Sequence, residues 1–473
     1  MPPTLIKNGT LITAADTVKA DLLIEGEQIR LIGASLTAPP DALVIDATGK
    51  FLLPGGVDPH CHFDLPMFGT VSSDDHYTGH KAAAFGGTTT VMDFVVQEPQ
   101  GLQHSVDLWL QKSAKAAIDY SFHMNLTHFD DAIVAEIPVL VEMGITTLKV
   151  FTAYNNRLRL DDGAIFQAMR LAKKHGMLVM AHCENGDVIE PLIAEALAAG
   201  HTSPEWHAHT RPAWGAVEST LRMAAMAAQA DAPVYIVHMN AGGEADMLQY
   251  ARERGAPVMG ETCPQYLFFS VEHLKRPDGA KWICSPPMRG EADNVRLWQA
   301  LADGDIQTVG TDHCAFFFDG SMPIVYEGQE IAIPGKELGA DDFTKIPNGL
   351  PGVQDRLPIL WTTGVNSGRI TPNQFVALTS TNPAKIFGLY PRKGTLAPGS
   401  DADIVLWDPA KKVTYGVAHS HQRTDYNLYE GWELTGYPEK VFLRGKLIID
   451  GEHWIGKSGD GQFLKRSPGA PVI

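Results

Sequence analysis

From residue 88 to residue 312 the chain repeats one alternation: a short apolar run, a stretch with apolar residues three or four apart, then another apolar run. The runs at 88–94, 146–151, 177–182, 233–238 and 306–312 read as strands, with weaker ones at 120–127 and 258–262. The stretches at 164–176, 218–230, 245–255 and 295–304 carry helical periodicity, and several close on a glycine. Strands apolar on both faces, alternating with helices, form a parallel sheet that helices cover. About eight such units predict a closed (β/α)8 TIM-like barrel, an α/β fold, rather than an open doubly wound sheet. No GxGxxG fingerprint follows the first strand, which argues against dinucleotide binding.

At either end the style changes to short strands split by turns, at 4–9, 20–26 and 29–33, then at 403–408 and 440–451. Asn8-Gly9 and Glu25-Gly26 read as turn signals there. Neither end holds enough apolar residues to stand alone, so the two are expected to pair. The expected product is a small β-sandwich domain, residues 1–54 with 390–473, beside a barrel of residues 55–389. A chain of 473 residues has room for both.

The unusual residues fall at strand ends, where a barrel of this kind carries its active site. His60 and His62 follow the apolar run at 51–54, and as i and i+2 they share one face of an extended chain. Lys149 ends the fourth strand, His182 the fifth, His238 the sixth and Asp312 the eighth. Singly, each has an ordinary account: a histidine bonding a carbonyl, a lysine reaching past the strand into water. Six metal-competent or ionisable groups on one rim are hard to explain by packing. Lys149, between Leu148, Val150 and Phe151, loses hydration unless it meets an anion or sheds its charge. A free amine can add carbon dioxide and become a carbamate with two oxygens. Four imidazoles and one carboxylate set a single negative charge against two cations, so a second anionic ligand between two divalent ions is electrostatically welcome.

The chain resembles the dihydropyrimidinase and D-hydantoinase family of the metal-dependent amidohydrolase superfamily. GVDPHCHFDLP, AAAFGGTTTVMDF, LKVFTAY, AHCENGD, ETCPQYL, SPPMR, GTDHC, IPNGLPGVQDR and TSTNPAKIFGLYPRKGTLAPGSDADIVLWDP carry the resemblance along essentially the whole chain. It implies that His60, His62 and Asp312 hold one metal, His182 and His238 the other, with Lys149 carboxylated as the bridge. The ions are expected to be zinc, although these donors admit manganese or cobalt. A hydroxide between the ions would attack a ring amide carbonyl, with Asp312 moving its proton to the leaving nitrogen. Tyr154 would support the developing oxyanion, and the backbone at Ser285 and Asn348 would hold the cyclic amide. The product would be an N-carbamoyl amino acid.

Within that family, dihydroorotase-like relatives carry an arginine two residues after HxH; here Asp64 stands there, so an uncharged ring is expected. Met92-Asp93-Phe94 replaces the Asp-Met-Pro of allantoinases, which favours 5,6-dihydropyrimidines and 5-substituted hydantoins. Phe63, Leu65, Met67, Phe68, Leu158 and Leu160 are expected around the ring's substituent, while Arg157 and Arg159 depart from the apolar loop common in hydantoinases. Two alternatives stay open: an allantoinase-like cyclic ureide hydrolase, and a non-catalytic scaffold like the collapsin response mediator proteins. The resemblance also implies a homotetramer, with contacts from residues 429–432 and the tail to Ile473.

A net charge of −17 speaks against a nucleic-acid or anionic-membrane surface, which leaves a small-molecule ligand. With no apolar run of about 18 residues and no basic-then-apolar start, neither a spanning helix nor a secretory signal is expected, and a cytoplasmic location is. Five scattered cysteines without a CxxC pair suggest neither disulfides nor a thiolate metal site.

Overall fold

The computed structural model describes residues 2–67, 69–320, 322–326 and 328–470. Its barrel strands are β1 (Gly56–Cys61), β2 (Thr88–Val95), β3 (Asp119–Asn125), β4 (Thr147–Phe151), β5 (Leu178–His182), β6 (Val234–Ile236), β7 (Val258–Thr262) and β8 (Thr308–Val309). They pair in parallel in chain order. A bridge from Cys61 to His313 closes the ring, with the His62 amide donating to the His313 carbonyl at 2.7 Å. β1, β2, β3, β5 and β7 are buried at every residue, so their two faces are apolar for two reasons: one fills the barrel and one packs beneath helices. The helices Asp162–Lys174, Ala213–Ala230, Gly242–Arg252 and Glu291–Asp303 occupy the four expected stretches. They begin a few residues early where caps allow it; Asp161, for one, accepts the Ala164 amide at 2.8 Å. None of the described helices is long and apolar enough to cross a membrane.

β6 and β8 are shorter than the apolar runs that contain them. His238 and Asp312 take φ values of 39° and 52°, in the left-handed region. The backbone therefore leaves the ladder as it reaches the two side chains that matter.

The two chain ends build one nine-stranded, mainly antiparallel sheet. Its seam is Phe51–Pro54, which pairs in parallel with Thr4–Ile12 on one side and antiparallel with Ile404–Thr414 on the other. Ile6, Leu22, Ile24 and Leu52 from one end share a core with Ile404, Leu406 and Phe442 from the other, so each end supplies what the other lacks. Asn8-Gly9 is not a turn. It is a bulge inside Thr4–Ile12, where the register slips between Ile6 and Gly9 and Asn8 takes a φ of 64°. The Asn8 amide and side chain donate to Asp21 and Asp46, each at 2.8 Å. Asn-Gly tolerates left-handed backbone, and a bulge needs that as much as a hairpin does.

A buried ion cluster fastens this sheet to the barrel. Lys393, 2% exposed, donates to Asp119 at the start of β3 (2.6 Å) and to Asp403 (2.7 Å), and lies 3.1 Å from Asp401. Residues 457–470 then return to the barrel, where the Leu464 amide donates to the Tyr120 carbonyl at 2.7 Å and buried Arg466 to Ser121 Oγ at 2.9 Å. The described tail thus packs on its own chain, and Tyr429 is spent inside it, against Phe269 at 5.1 Å between ring centres. Ile473 lies outside the described residues. Removing Lys393 takes the cation from buried Asp403, while Asp119 keeps Arg444 and Asp401 keeps Arg392. Lys393→Met is expected to lower stability by about 3 to 5 kcal/mol, read as a lower urea midpoint.

Candidate active site

The six side chains expected at strand ends meet. His60, His62, Lys149, His182, His238 and Asp312 line one cavity of about 270 Å³, with Tyr154, Ser285 and Asn348 in the same wall. His60 Nε2 lies 3.1 Å from Asp312 Oδ1 and His62 Nε2 3.2 Å from the same oxygen. His182 Nδ1 lies 3.0 Å from His238 Nε2. Atoms sharing a tetrahedral ion at bonds of roughly 2.1 Å sit about 3.4 Å apart, so both groupings are near metal-ligand spacing. His60, His238 and Asp312 each offer a donor atom within 4.8 Å of the others, so the groupings adjoin. His238 Nδ1 is buried without a hydrogen-bond partner among the described residues. An imidazole and carboxylate donor set with an unspent buried nitrogen fits a divalent metal.

Burial sets the protonation of these donors. It lowers His62 and His182, and it takes His238 well below the ordinary value. These rings therefore present lone pairs at neutral pH. His60 goes the other way: burial pulls it down, but Asp312 and Glu261 outweigh that and push it up to about 9. The pocket favours positive charge where His60 meets Asp312. Burial would raise the Asp312 carboxyl, yet the charge of His60 and the hydrogen bonds from His60 and His62 hold it well below the carboxylate range. Lys149 is 2% exposed, with Nζ 5.0 Å from the Phe94 ring and 5.2 Å from that of Phe151. Burial lowers it to about 8 against the pull of Asp312 and Glu261.

Two buried carboxylates that strand-end reasoning passes over hold this arrangement. Glu261 on β7 accepts from His60 Nδ1 at 2.7 Å, the His238 amide at 3.1 Å and the Tyr235 hydroxyl at 2.8 Å. Gly310 leaves it room, because a Cβ there would stand 2.7 Å from Glu261 Oε2. Glu184 accepts from His182 Nε2 at 2.9 Å and from Arg211 at 3.0 Å. Burial would raise Glu184, but Arg211 and His182 hold it at about 2. A usable signal was present: a glutamate inside the apolar run 258–262 is as odd as a lysine inside 146–151, and Glu184 follows His182 by two.

Elsewhere in the lining, Asn348 Nδ2 donates to Ser285 Oγ at 2.9 Å. Lys336, 1% exposed, ties their loops by donating to the Ile283 carbonyl at 2.9 Å and the Pro347 carbonyl at 3.1 Å. Tyr154 sits on the turn after β4, and burial pushes its hydroxyl up to about 12, which keeps it a hydrogen-bond donor at neutral pH.

Of the residues expected around a substituent, Leu65, Met67 and Leu158 line the cavity, and so does Arg157, one of the two departures from an apolar loop. Phe63 does not; it is buried against His76, His80 and His313. Leu160 is buried outside the lining, Arg159 pairs with Asp187, and Phe68 lies outside the described residues. Asp64 is a correction. It is outside the cavity lining, 3.3 Å from Lys115 and accepting the His76 amide at 3.2 Å, so it does not stand beside a substrate as its place after HxH suggests. Among the described lining residues the only carboxylate is Asp312.

Known proteins match the chain along nearly its whole length. The model of the amidohydrolase family matches residues 51–448. A D-hydantoinase of Geobacillus stearothermophilus is 44% identical over 468 residues, covering 98% of this chain and 96% of its own. The chain belongs to the amidohydrolase family. Within the family it falls in the hydantoinase and dihydropyrimidinase branch. The solved dihydropyrimidinase of Brevibacillus agri superposes with a TM-score of 0.95 at 46% identity, covering 99% of both chains. An L-hydantoinase (dihydropyrimidinase) of Arthrobacter aurescens gives 0.87 at 26% identity, covering 98% of this chain and 100% of its own. The chain is thus a cyclic amidohydrolase of a metal-dependent family, and the enzyme reading stands over the scaffold alternative.

Glu261→Gln keeps the shape of the His60 contact and removes its charge. Metal affinity is expected to fall about 10- to 100-fold, read by titrating metal-free protein with zinc.

Proposed function

We propose that this amidohydrolase opens the ring amide of 5,6-dihydropyrimidines and 5-substituted hydantoins, releasing N-carbamoyl amino acids. One observation carries the proposal: four histidines, an aspartate and a buried lysine converge on one cavity, in a chain 44% identical to a D-hydantoinase and 46% identical to a dihydropyrimidinase.

In this reading His60, His62 and Asp312 would hold one divalent ion and His182 and His238 a second, and Lys149, carboxylated on Nζ, would supply the further anionic ligand that two cations call for. Zinc suits the donors. When bound, such a pair of ions supplies a water ionised at neutral pH and polarises a carbonyl oxygen. An amine held at about 8 is in part uncharged at neutral pH, which is the form that adds carbon dioxide. The Asp312 carboxylate takes the proton of the attacking water and hands it to the ring nitrogen as the amide bond breaks. Tyr154 Oη, still protonated, donates to the carbonyl oxygen as negative charge gathers there. The backbone at Ser285 and Asn348 grips the ring amide, and Leu65, Met67 and Leu158 take the substituent. Residues 1–54 with 390–473 form a supporting β domain beside a catalytic barrel of residues 55–389. The same reading assigns a homotetramer in the cytoplasm.

Initial rates on dihydrouracil, hydantoin, 5-phenylhydantoin and allantoin test the substrate class. Turnover of the first three is expected, and dominance of allantoin overturns the proposal. Purified protein is expected to hold about two ions per chain, and Lys149→Ala to lose both that stoichiometry and nearly all activity. Tyr154→Phe is expected to cut kcat by about 10²- to 10³-fold while metal content stays at the wild-type level.

A further inference from the structure

Arg157 is the one charged residue in the cavity wall that the proposed chemistry leaves unused. Apart from it, the charged side chains among the described lining residues are Lys149, Asp312 and His60, all assigned to the metal centre. Leu65, Pro66, Met67, Val96 and Leu158 give the cavity apolar wall, and Asn125 and Thr127 are uncharged polar residues in the same lining.

The loop around Arg157 offers its guanidinium no counter-ion. Arg159, two residues on, pairs with Asp187 and donates to Asn155 at 3.0 Å. Asp161 is spent capping the helix Asp162–Lys174, and Asp162 pairs with Arg222 at 2.7 Å. Among the described residues no carboxylate or carbonyl meets the Arg157 side chain. The backbone beneath it is nevertheless well defined. The Tyr154 carbonyl accepts the amides of Arg157 and Leu158 at 3.1 Å each and that of Arg159 at 3.3 Å, and Tyr154 and Asn156 take φ values of 66° and 61°. The same tight turn therefore carries Tyr154, assigned to the reacting carbonyl, and Arg157, on the cavity wall beyond it.

We infer that Arg157 is a specificity-determining residue, and that the enzyme favours hydantoins whose ring substituent ends in a carboxylate, those formally derived from acidic amino acids. The inference rests on the proposed cyclic-amide hydrolysis and names its substrate class. A guanidinium matches a carboxylate with two parallel N–H···O bonds, and a partly apolar wall strengthens that pairing relative to open water. In a molecule of net charge −17, an unpaired cation at the cavity is also the local feature that draws an anionic substituent inward.

The test compares kcat/KM for the hydantoins of glutamate and glutamine, which share shape and differ in charge, in wild type, Arg157→Gln and Arg157→Glu. At low salt the wild type is expected to prefer the carboxylate by about fivefold, the upper end for an exposed ion pair. The preference should shrink with added salt, fall to about one in Arg157→Gln and reverse in Arg157→Glu. Equal turnover of both compounds by the wild type, or the same ratio in all three proteins, overturns the role of Arg157 and leaves cyclic-amide hydrolysis standing. Metal-loaded wild type that opens neither ring, nor unsubstituted hydantoin or dihydrouracil, overturns the hydrolytic reading and this inference with it.

Discussion

The Glu261 carboxylate is sealed from bulk solvent, and the histidine rim depends on how it is satisfied. A buried anion is costly unless every lone pair finds a donor. Here the donors come from β1 through His60, from the backbone at His238, and from Tyr235 on β6. These groups meet only when the barrel is closed and in register. Closing the barrel and aiming His60 are therefore one event, and a side chain at Gly310 would disturb both. Glu184 does for His182 what Glu261 does for His60, with Arg211 to balance its charge.

Burial also chooses which groups carry charge. The apolar strands that make the barrel dry are the reason Lys149 is held at about 8 and His238 stays neutral. The same dryness lets two carboxylates lift His60 to about 9. One cause, the exclusion of water, prepares lone pairs on three rings, a reactive amine, and a point that calls for positive charge. The core and the active site are two consequences of the same packing.

Backbone conformation aims what burial prepares. His238, Asp312 and Tyr154 all take left-handed φ values, which L-residues adopt at a cost. Each stands just beyond a barrel strand, where leaving the ladder turns its side chain into the cavity. Around them the loops are stapled by buried polar contacts, such as the Lys336 ammonium joining the Ile283 and Pro347 carbonyls. Arg157, proposed above to set selectivity, lines the same cavity from the turn that carries Tyr154.

The alternation of apolar runs and helical stretches was enough to read a parallel barrel, because the period of the apolar residues reports which faces are buried. Histidine, lysine and aspartate at the ends of those runs were enough to read a rim of ionisable groups around one cavity, because such groups are out of keeping with an apolar strand. The pairing of the two chain ends followed from what each lacked. Direction in the loops and partnership across the barrel were not legible. Asp64 and Phe63 stand outside the cavity lining, against Lys115, His76 and His80. Asn8-Gly9 became a bulge because Asp21 and Asp46 were there to hold it. Glu261 found its role only through His60, 201 residues away in the chain. Local pattern determined which elements form and which residues are chemically out of place; the folded structure decided where each polar group points, because a buried polar group turns to the partner that satisfies it, and that partner comes from distant chain.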